Sequence, residues 1–238
     1  MSVNNSSITI EVINNNTDFV VIDKPEGVNF HDETDLGQGL FNQVKQQLNL
    51  EVLYPVHRLD KMTSGLIIFA KTLACAQWFQ QQFEQHTIEK YYLALSDQKP
   101  VKKQGLIKGD MVKSRRGMWK LTRSQNNPAI TQFFSYTLAS KTRLFILKPH
   151  TGKTHQIRVA LNSIGAPIIG DSYYHSNERS DRGYLHAYAI RFSYCGQRYH
   201  FMSSPQSGEL FTQQALVQLL MDMGKPWALN WPKIRTRP

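Results

Sequence analysis

Gly65–Ala70 (GLIIFA) is a short continuous apolar run, and Leu73–His86 follows at once with Ala76, Phe79 and Phe83 on one helical face. The hexamer has the pattern of a strand buried on both faces, and its successor has the 3.6-residue period of an amphipathic helix. The same two patterns recur along the chain. Strands are expected at Asp18–Ile22, Lys90–Ser96, Ile130–Tyr136, Arg143–Lys148 and Tyr188–Phe192, and helices over Leu36–Leu48, Thr154–Ile164 and Leu210–Met221. The first strand ends at Lys24-Pro25-Glu26-Gly27, whose Pro and Gly favour a turn. Strands and helices interleave without a repeating strand–helix–strand rhythm, which favours an α+β mixed sheet over a doubly wound nucleotide-binding fold. At 238 residues and 41% hydrophobic, the chain has material for one sizeable core and is short for two.

No run of about eighteen apolar residues is present, so no membrane span is expected. The start, MSVNNSSITIEV, lacks the basic opening and apolar stretch of a secretory signal. Cys75 and Cys195 match no zinc spacing and read as reduced thiols rather than a disulfide. The net charge of +10 is unevenly spread: residues 1–56 hold two basic residues against eight acids, a net of −6, so the remainder carries +16. From Lys99 to Arg123 nine basic residues face Asp110 alone, and Lys141 to Arg158 adds five with no acid; Lys225, Lys233, Arg235 and Arg237 close the chain. Segregated positive charge concentrates a polyanion and favours its binding through counterion release. A merely solvated basic face is the alternative.

P-loop, G-x-G-x-x-G, H-E-x-x-H and C-x-x-C patterns are all missing. His155, inside an expected helix, reads as a hydrogen-bonded structural residue rather than a metal ligand. What remains is YPVHRLDKMTSGLIIFAKT (Tyr54–Thr72), where His57, Arg58, Asp60, Thr63 and Ser64 cluster just before the buried strand. A strand that fixes a substrate-facing loop is a good seat for catalytic groups. A plain turn, with Asp60, Thr63 and Ser64 bonded to neighbouring backbone, accounts for the same residues equally well.

HRLDKMTSG (His57–Gly65) resembles, at every fixed position, the H-R-L-D-x-x-T-S-G signature of RluA-type RNA pseudouridine synthases. DFVVIDKPEG (Asp18–Gly27) is similar to that family's opening strand and K-P-x-G turn, and Lys90-Tyr91-Tyr92 to its K-x-Y motif. KPHTGKTHQIRV (Lys148–Val159), Gly170-Asp171 with Tyr174, and Leu185-His186-Ala187 resemble later blocks, in family order, across residues 18–205. The resemblance implies a mixed, largely antiparallel sheet with flanking helices and a central catalytic cleft crossed by RNA, needing no metal or organic cofactor. Residues 1–17 would be a short N-terminal extension and 18–238 the catalytic domain, with residues 99–123 a basic insertion that grips RNA.

By the same resemblance Asp60 is the nucleophile that isomerises a uridine of ribosomal or transfer RNA, Arg158 its partner, and Tyr92 stacks on the uracil and could help remove its proton. A nearby guanidinium favours the ionised form that attack requires. Arg58 would fill the space left when the target base is flipped out. Lys90, Lys153, Thr154 and Gln156 are expected to contact substrate, while His57 and Thr63 border it and shape the loop. Arg115, Arg116 and Trp119 are expected to contact RNA from the insertion, Trp119 by stacking on an exposed base. Tyr91 should turn to the opposite, buried face from Tyr92. Ala160 departs from the family, where a histidine is usual, and Val28-Asn29-Phe30-His31 replaces a more aliphatic run.

Two other functions compete. One is a non-catalytic RNA-binding or RNA-folding protein on this fold, against which Asp60, Tyr92 and Arg158 all being present argues. The other is a nucleic-acid glycosylase, which needs a second carboxylate, and no acid adjoins Asp60 in these motifs. A monomer in a cytoplasmic setting is the expectation for such an enzyme.

Overall fold

The computed structural model describes residues 9–32, 39–139, 141–175 and 180–234. Its centre is β4 (Thr63–Ala70), every residue of which is buried, as the apolar run requires. To one side lie β2 (Phe19–Lys24) and β1 (Glu11–Asn15), both antiparallel. On the other side β11 (Leu185–Tyr194) pairs parallel with β4, followed by β5 (Glu89–Ser96), β10 (Thr142–Pro149), β9 (Ala129–Ala139) and β6 (Gln104–Gly109), all antiparallel. The short β3 (Tyr54–Pro55) joins β4, and β12 (Gln197–Met202) joins β11, making ten strands in one mixed sheet. Met111–Lys113 (β7) and Trp119–Leu121 (β8) pair only with each other, a two-stranded arm beyond β6.

Among the described residues four α-helices flank the sheet: α1 (Leu40–Gln47), α2 (Leu73–Glu84), α3 (Gln156–Ser163) and α4 (Gln214–Met223). Thr72 caps α2, its side chain accepting the Cys75 N–H at 3.2 Å, and Cys75 and Phe79 turn into the core. Leu40 and Val44 do the same for α1, while Leu161 and Ala160 bury against the β5–β10 region. Ala160, the family departure, is therefore a packing residue. Val28 and Phe30 are also buried, with Phe30 stacked on Phe69.

Each expected strand and helix is present, with ends displaced by up to four residues. Residues 36–38 of the first expected helix, and Arg235 and Arg237, lie outside the described residues. Periodicity did not indicate β1, β6, β7, β8 or β12. These are edge or arm strands with polar or Gly-containing sequences (EVINN, QGLIKG, QRYHFM), and little apolar contrast marks a strand with one face in solvent. The stretch read as an N-terminal extension thus supplies an edge strand, β1. Cys75 is buried, Cys195 exposed, and both are free thiols. Among the described residues no helix is long and apolar enough to cross a membrane, and no cluster of metal-ligating side chains occurs.

Candidate active site

The loop between β3 and β4 carries Asp60, and its underside is bolted to the sheet. Lys24 at the end of β2 is wholly buried, and its ammonium donates to the carbonyls of Pro25 (2.9 Å), Lys61 (3.1 Å) and Thr63 (2.9 Å). Burial pushes this amine down to about 7, the Glu26 and Asp60 carboxylates opposing. His57 accepts the Ile68 N–H on Nε2 at 2.9 Å; burial pushes its imidazole down to about 3, so it stays a neutral strut. Arg182 donates to Ser64 Oγ at 2.6 Å, and that hydroxyl turns its own proton to Nδ1 of His186 at 2.8 Å. Gly65 has φ +105°, and a Cβ there would collide with the Ala187 carbonyl, so β4 and β11 approach closely only because position 65 is glycine.

Above this floor opens a cavity of about 420 Å³, walled by the Asp60 loop, β5 and the 149–155 turn into α3. Asp60, Tyr92 and Arg158 all line it, as do His57, Arg58, Thr63, Lys90, Lys153, Thr154 and Gln156. Arg115, Arg116 and Trp119 do not; they sit on the arm, the arginines exposed and the indole half-buried. Tyr91 and Tyr92 part to opposite faces of β5: Tyr91 is fully buried, while Tyr92 faces the cavity.

Arg158 organises the centre. Its Nε and Nη2 donate to Asp171 Oδ2 and Oδ1 at 2.7 and 2.8 Å, and Nη1 donates to Asp60 Oδ2 at 3.0 Å. The rings of Tyr173 and Tyr174 lie 5.2 and 5.3 Å from the guanidinium. Burial works against this charge, but the Asp171 and Asp60 carboxylates outweigh it and hold the group above its ordinary value. Asp171 is 0% exposed, whereas the Asp60 side chain keeps 30% of its surface open. A second carboxylate therefore does stand near Asp60, contrary to the sequence expectation. Both of its oxygens are spent on Arg158 and it has no route to substrate, so it supplies no acid or base.

Other wall residues differ in how free they are. Burial raises the Tyr92 phenol well above its ordinary value, with the Asp60 carboxylate adding to it, so this side chain is a neutral phenol. Lys90 lies against the Phe83 ring, 5.6 Å from its centroid, and burial pushes its ammonium down to about 8. The Gln156 amide is fully engaged: Oε1 accepts from Thr151 Oγ1 (2.6 Å) and Lys153 N–H (3.0 Å), and Nε2 donates to Ile130 O and Thr131 Oγ1. It builds the turn and has no polar atom left for a ligand. His155 takes a left-handed conformation (φ +57°) before α3, with Nδ1 3.1 Å from Tyr174 Oη, in keeping with a structural role. Sequence reasoning gave no role to Asp171, Tyr173, Tyr174, Lys24 or Arg182. Asp171, Tyr174 and Lys24 stood within quoted motifs, which was the available signal; Arg182 and Tyr173 had none.

A pocket-facing carboxylate gripped by a buried guanidinium thus stands in the cleft of a mixed sheet that carries a basic arm. Residues 18–163 match the family described as RNA pseudouridylate synthase. An RNA pseudouridine synthase of Haemophilus influenzae, named as uncharacterized, is 47% identical over 220 residues, covering 92% of this chain and 98% of that protein. The ribosomal large subunit pseudouridine synthase D of Borreliella burgdorferi is 32% identical over 181 residues, covering 71% of this chain and 56% of that one. The solved structure of human RNA pseudouridylate synthase domain containing 1 superposes with a TM-score of 0.74 at 21% identity, over 98% of this chain and 100% of that one, a likeness of fold. The chain belongs to the RNA pseudouridylate synthase family, in its RluA-type branch, and is an isomerase that acts on RNA.

Proposed function

We propose that Asp60 is the nucleophile with which this enzyme converts a uridine of ribosomal or transfer RNA to pseudouridine. The observation that carries this reading is the Asp60–Arg158 pair at 3.0 Å in the cavity, with Arg158 itself clamped by Asp171. A preorganised cation holds the carboxylate's oxygen in one place before substrate arrives. The flipped uridine enters the cavity, where the Tyr92 ring offers a stacking face and Arg58, exposed on the loop, fills the gap in the RNA stack. Asp60 attacks at the ribose anomeric carbon or at the base. Either way the N1–C1′ bond breaks, the uracil turns within the cavity, a C5–C1′ bond forms, and the C5 proton leaves while N1 gains one. A neutral Tyr92 suits stacking better than proton abstraction.

Lys90, Lys153 and Thr154 border the same space and serve substrate binding, with Arg115, Arg116 and Trp119 gripping RNA from the arm. The relative named for the large ribosomal subunit supports ribosomal RNA among the two classes. We place the enzyme in the cytoplasm, as a monomer whose residues 18–238 form the catalytic domain together with the edge strand β1. The test uses RNA carrying tritium at C5 of uridine, from cells lacking this gene. Tritium should pass to water with wild-type protein and fall by at least about 10³-fold with Asp60→Ala, at unchanged thermal stability. Undiminished release from the variant would remove Asp60 as nucleophile.

A further inference from the structure

The basic arm is mechanically tied to the catalytic cation. The Trp119 N–H, in β8, donates to Tyr174 Oη at 2.8 Å, and the same oxygen lies 3.1 Å from His155 Nδ1. The Tyr174 oxygen thus sits between the amide it accepts from and the His155 ring, its role toward Nδ1 set by the tautomer of that ring. Burial, with Arg158 beside it, holds His155 below its ordinary value, against the pull of Asp60 and Asp171. At the arm's tip, a Cβ on Gly117 would stand 3.7 Å from Tyr173 Cε1. Tyr173 and Tyr174 are the two rings stacked on the Arg158 guanidinium. Neither lines the cavity; Tyr174 reaches it through Arg158 and through His155, which does line it.

A two-stranded ribbon is marginally ordered on its own. This one is anchored at its base, where Asp110 O accepts the Thr122 N–H at 2.8 Å, and along β8 by Tyr174. RNA phosphates held by Lys113, Arg115, Arg116 and Lys120 would fix it further. We propose that Tyr174 is a positioning residue through which the β7–β8 arm, seated on RNA, sets Arg158 against Asp60. The inference rests on the reading of the arm as an RNA contact. It makes alignment of the nucleophile depend on a correctly engaged substrate, since an unseated arm leaves the Tyr174 hydroxyl with one partner fewer and its ring free to drift on the guanidinium.

The decisive measurement is single-turnover tritium release at saturating RNA, alongside RNA binding by filter retention and thermal melting. Tyr174→Phe keeps the ring and deletes only the hydroxyl. It should slow the saturated rate about 10-fold, the equivalent of one lost hydrogen bond, and leave RNA affinity within about two-fold. A second variant joins Met111 to Leu121 through Asn-Gly in place of residues 112–120, a two-residue hairpin turn. It should bind RNA more weakly and show the same roughly 10-fold slower saturated rate, with no added loss on combination with Tyr174→Phe. A wild-type saturated rate in either variant, or losses that multiply, overturns the coupling. Arg115→Ala with Arg116→Ala tests the underlying reading separately, by weaker binding and a salt slope reduced by about 2. If binding and slope stay put, the arm is not an RNA contact; if they change while Tyr174→Phe is at full rate, the coupling alone fails.

Discussion

Arg158 and Arg116 carry the same guanidinium into opposite surroundings. The Arg158 side chain is 5% exposed and bonded to two carboxylates and two aromatic rings. Arg116, with Arg115, Lys113 and Lys120, is exposed, and among the described residues none of the four has an ion-pair partner. The Arg158 charge is neutralised inside the chain before substrate comes, which fixes its geometry and leaves it little to gain from further ions. If the arm grips RNA as proposed, displacing counterions is where its binding free energy arises. One region is built for position, the other for capture.

The contrast is broken most severely at Asp171. Replacing this buried partner by Asn leaves Arg158 with only the partly exposed Asp60 as counter-charge, and unfolding in urea should show a loss of about 3–5 kcal/mol. Asp60→Asn, at a side chain 30% exposed, should stay within about 1 kcal/mol of wild type. Equal losses would mean that the two carboxylates are equivalent partners and that the centre is not preorganised from behind. A smaller effect lies under the loop. Lys24 has its ordinary 10.5 pushed down to about 7 by burial. Between those values the unfolded chain holds a proton that the folded chain has shed, so this group favours folding increasingly as pH rises, and not at all below about 7. The stability of wild type relative to Lys24→Met should therefore climb from pH 7 to 10, no more steeply than about 1.4 kcal/mol per unit. A flat difference would place the amine's pKa outside that window.

How much of this was written plainly in the sequence follows the same division. The buried strand at 63–70 and the amphipathic α2 are legible because each has one dominant burial pattern, and the Asp60 loop was recognisable from its motif. All ten candidate residues outside the arm do line the cavity. Their division of labour was not legible: Gln156 and Asp171 look like ligands in a string of letters, and only long-range partners show both to be saturated. Arg158 meets Asp60 across 98 positions, and Arg182 meets Ser64 across 118. The arm's strands escaped notice because each is three residues long, too short for a period to show.

The smallest expected effect separates the arm from the body. Asp110, its lone acid, accepts the N–H groups of Asn126 at 3.0 Å and Asn127 at 2.8 Å. Slight burial opposes its charge, but these amides outweigh that and hold the carboxyl below its ordinary value, so the anchor is fully formed at neutral pH and lost only on strong acidification. Asp110→Ala deletes those two bonds and leaves the backbone pairing at Thr122 in place. The ten-stranded sheet does not include β7 or β8, so the change should raise local opening without touching the core. Limited trypsin digestion should then cut after Lys113, Arg115, Arg116 or Lys120 several-fold faster at an unchanged melting temperature. If the melting temperature falls with it, arm and body unfold as one unit, and the division between a fixed pocket and a capturing arm is wrong. If neither moves, the backbone pairing at Thr122 and the Tyr174 contact hold the arm without the Asp110 side chain, which would sharpen the case for coupling at Tyr174.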